Sequence, residues 1–423
     1  MLLSACGGKD ASTGDADSGS DQTRTKQEPV ELVIYYPFIQ DWSEEDFLKT
    51  FAEPIKQKFP HISIKYIAGG PPGTKIEELL AAGQKFDIVF HSFGANVNLW
   101  DYGLQYDISP LIKKFNYDLN KIDPALIDIQ KKLGNGGIYG LPVYVPPSTV
   151  YYNKDIFDKF GVPYPKDGHT WDDLYEMSKR LTREDGGVQY QAIGTSHAHF
   201  FMLNQWSIPL VDTASKKATF DTDSRWSAFF ENLVRFYKIP GHELKGSYIN
   251  NPDERNRFFK NRHIAMFLML TALASEKELE GMNCDLAAFP VFKDRPNNGP
   301  QAYPVYFYVS SNSDHKDQAF QVIATVLSEE VQTLMSRNAR LPILTGQKIQ
   351  EEFGKNLPYL NGKNLQAAFK TQPAKALPAT KYSGIGQQLS QEAFTRVMKE
   401  GVDINTALSQ ADEKLNKQIE ASK

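Results

Sequence analysis

Along the first hundred residues the apolar positions change period in a regular order. "VELVIYYPF", Val30 to Phe38, is a run of β-branched and aromatic residues that predicts a strand. In "SEEDFLKTFAEPIKQKFP" the apolar residues Phe47, Phe51 and Ile55 recur at helical spacing, with Ser43 where an N-cap belongs. "ISIKYIAG" predicts a second strand, "GTKIEELLAAGQ" a short helix, and "FDIVFHSF" a third strand, apolar enough to be buried on both faces. Strand, helix, strand, helix, strand is the order of a parallel sheet with crossover helices. The alternation resumes with helices over "TWDDLYEMSKRLT", capped by Thr170, and "SRWSAFFENLVRFYKI". "FFKNRHIAMFLML" reads as a helix end running into a strand, and "CDLAAFPVF" and "AYPVYFYVSSNS" as further strands. "DHKDQAFQVIATVLSEEVQTLMSR" and "INTALSQADEKLNKQIEA" close the chain as helices.

A chain of 423 residues exceeds the roughly 250 to 300 at which one core stops growing, so two lobes are expected. Apolar content of 41% and charged content of 23% are those of a water-soluble globular body, and no run reaches membrane-spanning length. A net charge of -4 with both signs dispersed excludes the massed Lys and Arg of a nucleic-acid binder. Of the two cysteines, Cys6 lies in a polar tail and Cys284 beside a strand; no disulfide is expected, and Cys284 reads as a small buried hydrophobe.

Ligands of open parallel sheets bind at the carboxyl ends of the strands. That rule nominates Tyr35, Tyr36, Phe38, Asp41 and Trp42 after the first strand, and His91, Ser92 and Phe93 after the third. Aromatics make up 12% of the chain, and Tyr139 to Pro165 alone holds seven of them with five prolines. Such a stretch combines flat apolar surface with an extended, restrained backbone.

At the amino terminus, Leu3-Ser4-Ala5-Cys6 resembles the lipobox of bacterial lipoproteins, in which the Cys thiol is acylated. Residues 7 to 29 carry almost no apolar surface and read as a disordered tether. Only Met1 to Leu3 precede the box, whereas a secretory signal needs a charged segment and an apolar one of 7 to 15 residues. The natural start is therefore expected upstream.

"GGIYGLPVYVPPSTVYYNKDIFDKFGVPYPKDGHTWDDLYEMSKRL" resembles the signature region of family 1 extracellular solute-binding proteins, the receptors of ABC importers for sugars and oligosaccharides. It matches at Pro142, Val143, Val150, Tyr151, Tyr152, Asn153, Phe157 and Lys159, and departs at Tyr144 and Thr149. "NRHIAMFL", "SSNSDHKDQAFQVIATVLSEEVQ" and "GVDINTALSQADEKLN" are similar to later segments of the family, in the right order. The resemblance implies an α/β, two-lobed periplasmic-binding-protein-like fold of type II, with hinge-connected lobes and a ligand cleft between them. It divides the chain into a lipobox and tether (1–29), lobe 1 (30–142 plus 303–350) and lobe 2 (143–302 plus 351–423). Tyr139 to Pro147 becomes the first crossing between lobes, Asn153 and Asp155 open the first helix of lobe 2, and Trp171 is structural.

A pyranose has apolar C–H faces and a hydroxyl rim, so its site needs aromatic platforms edged by donors and acceptors. The ligand set expected is Tyr36, Asp41, Trp42, His91, Ser92, Phe93, Tyr144, Gln205, Trp206 and Tyr306. His197 and His199 lack the further ligands of a zinc set, and no metal or cofactor is expected. The chain carries no G-x-S-x-G, P-loop or H-E-x-x-H motif. The expectation is thus a monomeric receptor, not an enzyme, that delivers a carbohydrate to ABC permease subunits. It would be held by lipid at Cys6 to the extracellular face of a Gram-positive membrane, and has no nucleic-acid partner. The alternatives are a secreted carbohydrate-active enzyme, with two carboxylates flanking the bond, and a receptor for a non-sugar ligand. A peptide is one such ligand; ferric iron held by the Tyr151–Tyr152 pair is another.

Overall fold

β-branched and aromatic runs build two five-stranded sheets in the computed structural model, which describes residues 28–421 apart from 40, 93–95, 134–135, 243–250, 271, 345 and 378–379. The first contains β1 (Val30–Tyr36), β2 (Ile62–Ala68), β3 (Ile88–Ser92), β4 (Gly140–Tyr144) and β13 (Val305–Val309), in the order β2-β1-β3-β13-β4. The second contains β5 (Thr149–Asn153), β6 (Arg183–Asp185), β7 (Val188–Thr195), β10 (Ile264–Met269) and β11 (Cys284–Ala288), in the order β11-β5-β10-β7-β6. Two short ribbons, β8 (Val211–Asp212) with β9 (Lys217–Ala218) and β12 (Asn298–Gln301) with β14 (Gln372–Ala374), complete the strands described.

β1, β2 and β3 are parallel, as their helix-linked order predicts, and β3 is buried along its whole length. β13 arrives from far along the chain and inserts antiparallel between β3 and β4, pairing Phe307 with Phe90 on one side and with Leu141 on the other. Pro142 is tolerated within β4 because that strand lies at the sheet edge, where a missing N–H breaks no ladder. Gly140 is required there, since a Cβ would stand 2.6 Å from the Tyr308 ring and 2.9 Å from the Phe307 carbonyl.

Ser43 caps its helix by accepting from the Asp46 amide at 3.1 Å, and Thr170 forms a capping box with Asp173. The helix expected from Ser43 to Pro60 is not uniform: Glu44–Phe47 widens into a π turn at Leu48–Ala52 before Glu53–Lys58. Pro54 has no N–H for the Thr50 carbonyl, and the wider turn makes room for its ring. The helix expected from Asp314 to Arg337 breaks at Leu327, because Ser328 caps a new one, Glu329–Arg337.

The first sheet packs one core, with Phe47, Phe51, Phe90 and Phe307 at its centre. The second sheet packs another, with Trp171, Phe201, Trp226 and Phe394, against which lie the helices Ser383–Lys399 and Ile404–Ala421. A third cluster joins Tyr151 and Phe267 to Phe353, Leu360 and Ala367. β4 pairs through Tyr144, so the first sheet keeps Val143 and Tyr144, two residues past the boundary expected at 142/143. Asn153 accepts from the Asp155 amide at 3.1 Å and caps Lys154–Phe160. Cys284 is buried at the start of β11.

Candidate functional site

β1, β3 and β4 point the same way, so Tyr36, Ser92 and Tyr144, their last residues, reach one edge of the first sheet. The chain leaving β1 folds back along that edge. Tyr36 donates from its hydroxyl to Asp41 Oδ2 at 3.0 Å, and Trp42 Nε1 donates to the Tyr144 hydroxyl at 3.2 Å. Tyr66 fixes the bend by donating to the Trp42 carbonyl at 3.1 Å. Arg340 lies over both rings, its guanidinium carbon 4.9 Å from the Trp42 centroid and 5.2 Å from that of Tyr144. Phe38 and Ile39, 40% and 44% exposed, project beside the cluster, with Phe38 edge-on to Tyr36 and His91.

Two helices beside the second sheet, Asn251–Phe259 and Glu276–Leu279, supply the facing wall. Arg255 is held by a bidentate pair with Glu278 and stacks 5.3 Å from Phe259. Both Arg340 and Arg255 act on the Asp41 carboxylate, which places Asp41 between the lobes. A polar link also crosses: Ser92 Oγ lies 3.0 Å from the Tyr303 hydroxyl, and the Tyr303 ring, packed on the second core, meets His199 at 5.8 Å. His199 Nδ1 is 2.6 Å from Ser196 Oγ. A recess of about 970 Å³ around Glu276–Leu279 is lined in part by Tyr359 and Lys363.

Surrounding protein raises the Asp41 carboxyl above its usual range, against the Tyr36 hydrogen bond and the two guanidinium groups. Burial likewise raises the phenols of Tyr36 and Tyr144, so both remain neutral hydrogen-bonding groups. His91 is pushed down to about 3 by burial and stays neutral; its Nδ1 accepts from the Ser92 amide at 2.8 Å, making it a support beneath Phe38. Burial would raise Glu278, but the Arg255 guanidinium holds it below the usual range.

Of the residues expected from sequence, Tyr36, Asp41, Trp42, Tyr144, His91 and Ser92 come together. Phe93 and Cys6 lie outside the described residues. Three others of the expected set lie away from this cluster. The Gln205 amide is fully used inside lobe 2, accepting from Trp171 Nε1 and donating to the carbonyls of Pro290 and Asn298, each at 2.8 Å. Trp206 packs on Phe292 and Phe229 with Arg295 against its ring, at a separate recess of about 410 Å³ that includes Asn232 and Arg235. Tyr306 falls on the opposite face of β13 from Phe307 and donates to the Leu126 carbonyl at 3.0 Å, inside the first core.

Tyr151 and Tyr152, successive on β5, point to opposite faces of the sheet. The Tyr151 hydroxyl accepts from the Ala274 amide, while that of Tyr152 approaches Asp285. They cannot share one ion. Sequence reasoning missed Arg340, Tyr303 and Arg255, and weighed His199 only as a metal ligand. Tyr303 carried a signal, an aromatic before Pro304 at the head of a strand, the same extended X-Pro device as at the first crossing.

A family model described as "Bacterial extracellular solute-binding protein" matches residues 41–333. The arabinooligosaccharide-binding protein of Bacillus subtilis is 29% identical over 161 residues, covering 36% of this chain and 33% of that protein. The mannitol-binding protein of Pseudomonas aeruginosa is 42% identical over 67 residues, 16% of this chain and 15% of that one. The matches span 51% or less of the length of these curated relatives. An ABC substrate-binding protein from Listeria monocytogenes, solved with cycloalternan, superposes with a TM-score of 0.71 at 20% identity, covering 93% of this chain and 99% of that one. The cyclic alpha-maltosyl-1,6-maltose binding protein of Arthrobacter globiformis gives 0.71 at 16% identity, covering 92% and 99%. These likenesses establish the two-lobed α/β fold of this group.

Proposed function

The chain belongs to the bacterial extracellular solute-binding proteins, and from that premise we propose that it is the substrate-binding receptor of an ABC importer, taking an oligosaccharide into the cleft between its lobes and presenting it to a membrane permease. The observation that carries this reading is the cluster at the strand ends: an exposed Phe38 face beside Tyr36, Asp41, Trp42, Tyr144 and Arg340. It has the apolar platform and the polar rim that a sugar demands. The oligosaccharide and polyol ligands named for the relatives support the same class.

Lobe 1 in this proposal comprises residues 30–144 with 303–350, and lobe 2 the remainder of 145–421. Ligand shifts the hinge equilibrium by its differential affinity for the closed form. The protein makes and breaks no bond. A glycosidase needs two available carboxylates, and Glu278, on the wall facing Asp41, is clamped by Arg255, which favours binding over turnover. Membrane attachment is assigned to acylation at Cys6, with residues 7–29 as tether, on the outer face of a Gram-positive cell; no helix among the described residues is long and apolar enough to cross a membrane.

A thermal-shift screen against maltotriose, mannotriose, arabinotriose, D-mannitol and Fe³⁺, with recovery of the ligand, tests the proposal. Saturating sugar at about 100 times Kd adds roughly 2.7 kcal/mol, and the sugar should be recovered intact. Cleaved sugar, or a shift with Fe³⁺ alone, overturns it.

A further inference from the structure

Arg340 spends its face on Trp42 and Tyr144. Stacking of that kind uses the guanidinium plane and leaves the in-plane N–H donors available. Among the described residues those donors meet no carboxylate within 4 Å, and the one hydrogen bond formed, from Nη2 to the Asp41 carbonyl, is long at 3.4 Å. Asp41 is exposed at the cleft, and among the described residues its carboxylate accepts only from Tyr36. A five-donor fork and an acceptor-only group therefore stand side by side with capacity unused. Arg255, the other guanidinium acting on Asp41, is already neutralised by Glu278.

The backbone holds Arg340 in place. Ala339 adopts φ 55°, a left-handed conformation rare for a residue with a Cβ, and packs in the cluster against the second sheet. Leu341 then exchanges two backbone hydrogen bonds with Val145, at 3.0 and 3.1 Å, just beyond β4. Arg340 thus leans on the first lobe's aromatics from a segment anchored to both lobes. Strain of this kind persists where the surroundings over-determine it and marks sites with a job to do.

Resting on the carbohydrate reading above, we propose that Arg340 and Asp41 are the specificity-determining pair of the cleft, reading two adjacent hydroxyls of a neutral sugar. Each hydroxyl donates one hydrogen bond and accepts others, so one donates to Asp41 while its neighbour accepts from Arg340. The pair carries one charge of each sign, and an acidic sugar would set its carboxylate against Asp41. A uronide is selected against.

The test is isothermal titration of wild type, Arg340→Lys, Arg340→Gln and Asp41→Asn with maltotriose, mannotriose, arabinotriose and trigalacturonate, after unfolding curves confirm that each variant is folded. The expected result is a neutral trisaccharide as the best ligand of the wild type. Its affinity should fall 10- to 100-fold in Arg340→Gln and in Asp41→Asn, and less in Arg340→Lys, which keeps a donor but loses the fork. Asp41→Asn should at the same time strengthen trigalacturonate binding. A neutral sugar that binds wild type tightly and all variants within twofold overturns the pair while leaving the receptor reading intact. Trigalacturonate as the best wild-type ligand overturns the pair as well. Binding of none of the four sugars overturns the carbohydrate reading and the pair with it.

Discussion

Glu254 has no exposure to solvent, and its ionisation is opposed by burial in the second core. Its carboxylate pairs with Arg257 at 3.1 Å and packs against Gly194, where an added Cβ would meet Oε2 at 2.5 Å. Burial outweighs the guanidinium and pushes the folded value up from 4.5 to about 8. A raised folded value means a stabilising contribution fully present below the unfolded value, near 4.5, and lost as pH rises toward 8. At about 1.4 kcal/mol per pH unit, wild type should lose about 3 kcal/mol from this group between roughly pH 5 and 7.5. Glu254→Gln keeps the shape and removes the titration. Its loss of the Arg257 pair is a constant offset across that window, because the wild-type carboxyl stays mostly protonated there. Urea unfolding of both proteins at intervals through the window should therefore give a stability difference that moves in favour of the variant by about 3 kcal/mol. Parallel profiles would refute the reasoning, showing that Arg257 overcomes burial and keeps Glu254 ionised in the native state.

His91, His199 and His242 are pushed by burial from 6.5 to about 3, 4 and 4. Depressed folded values give stability that is present above about pH 6.5 and lost as pH falls toward them, so the urea midpoint should peak near pH 6.5; a midpoint that keeps increasing as pH is lowered to 5 contradicts this. Gln205→Ala strands Trp171 Nε1 and two buried carbonyls and should cost about 2 to 4 kcal/mol in urea unfolding, while sugar affinity of the folded protein, read by titration, stays within twofold. Tyr303→Phe removes the hydrogen bond by which Ser92 holds the Tyr303 ring where it packs on the second core, about 1 kcal/mol, and should weaken sugar binding about fivefold. Ser92→Ala should do the same, and the double variant should be no worse than either single one, as a cycle on one shared contact requires.

The parallel half of the first sheet was legible because its strands alternate with helices in short, well-punctuated units. Strand-end logic nominated Tyr36, Asp41, Trp42 and Ser92, which the structure brings to one end of the first sheet. β13 was recognisable as a strand, but its place between β3 and β4 was not, since that is a pairing of residues far apart in the chain. The same limit hid Arg340: nothing around it distinguishes a surface arginine from one laid on aromatics about 200 and 300 positions earlier. Tyr306 misled because a period of two leaves open which face is inside, and both faces of β13 are buried. Gln205 and Trp206 followed from likeness to a segment, and the turn after the short helix His197–Met202 can send its side chains into the lobe as readily as into the cleft. β5 and β7 escaped for a simpler reason: one follows closely on prolines and the other opens with two glutamines among its first four residues.

Hydrogen exchange reads out whether a sugar is held between the lobes at the ends of β1, β3 and β4. The sugar that gives the largest thermal shift would be compared with buffer alone, peptide by peptide. New protection is expected around Tyr36 to Trp42, His91 and Ser92, Tyr144 and Val145, Ser196 to His199, Tyr303 and Arg340. Protection confined to the recess at Trp206 and Asn232, or spread over one lobe only, would contradict that placement.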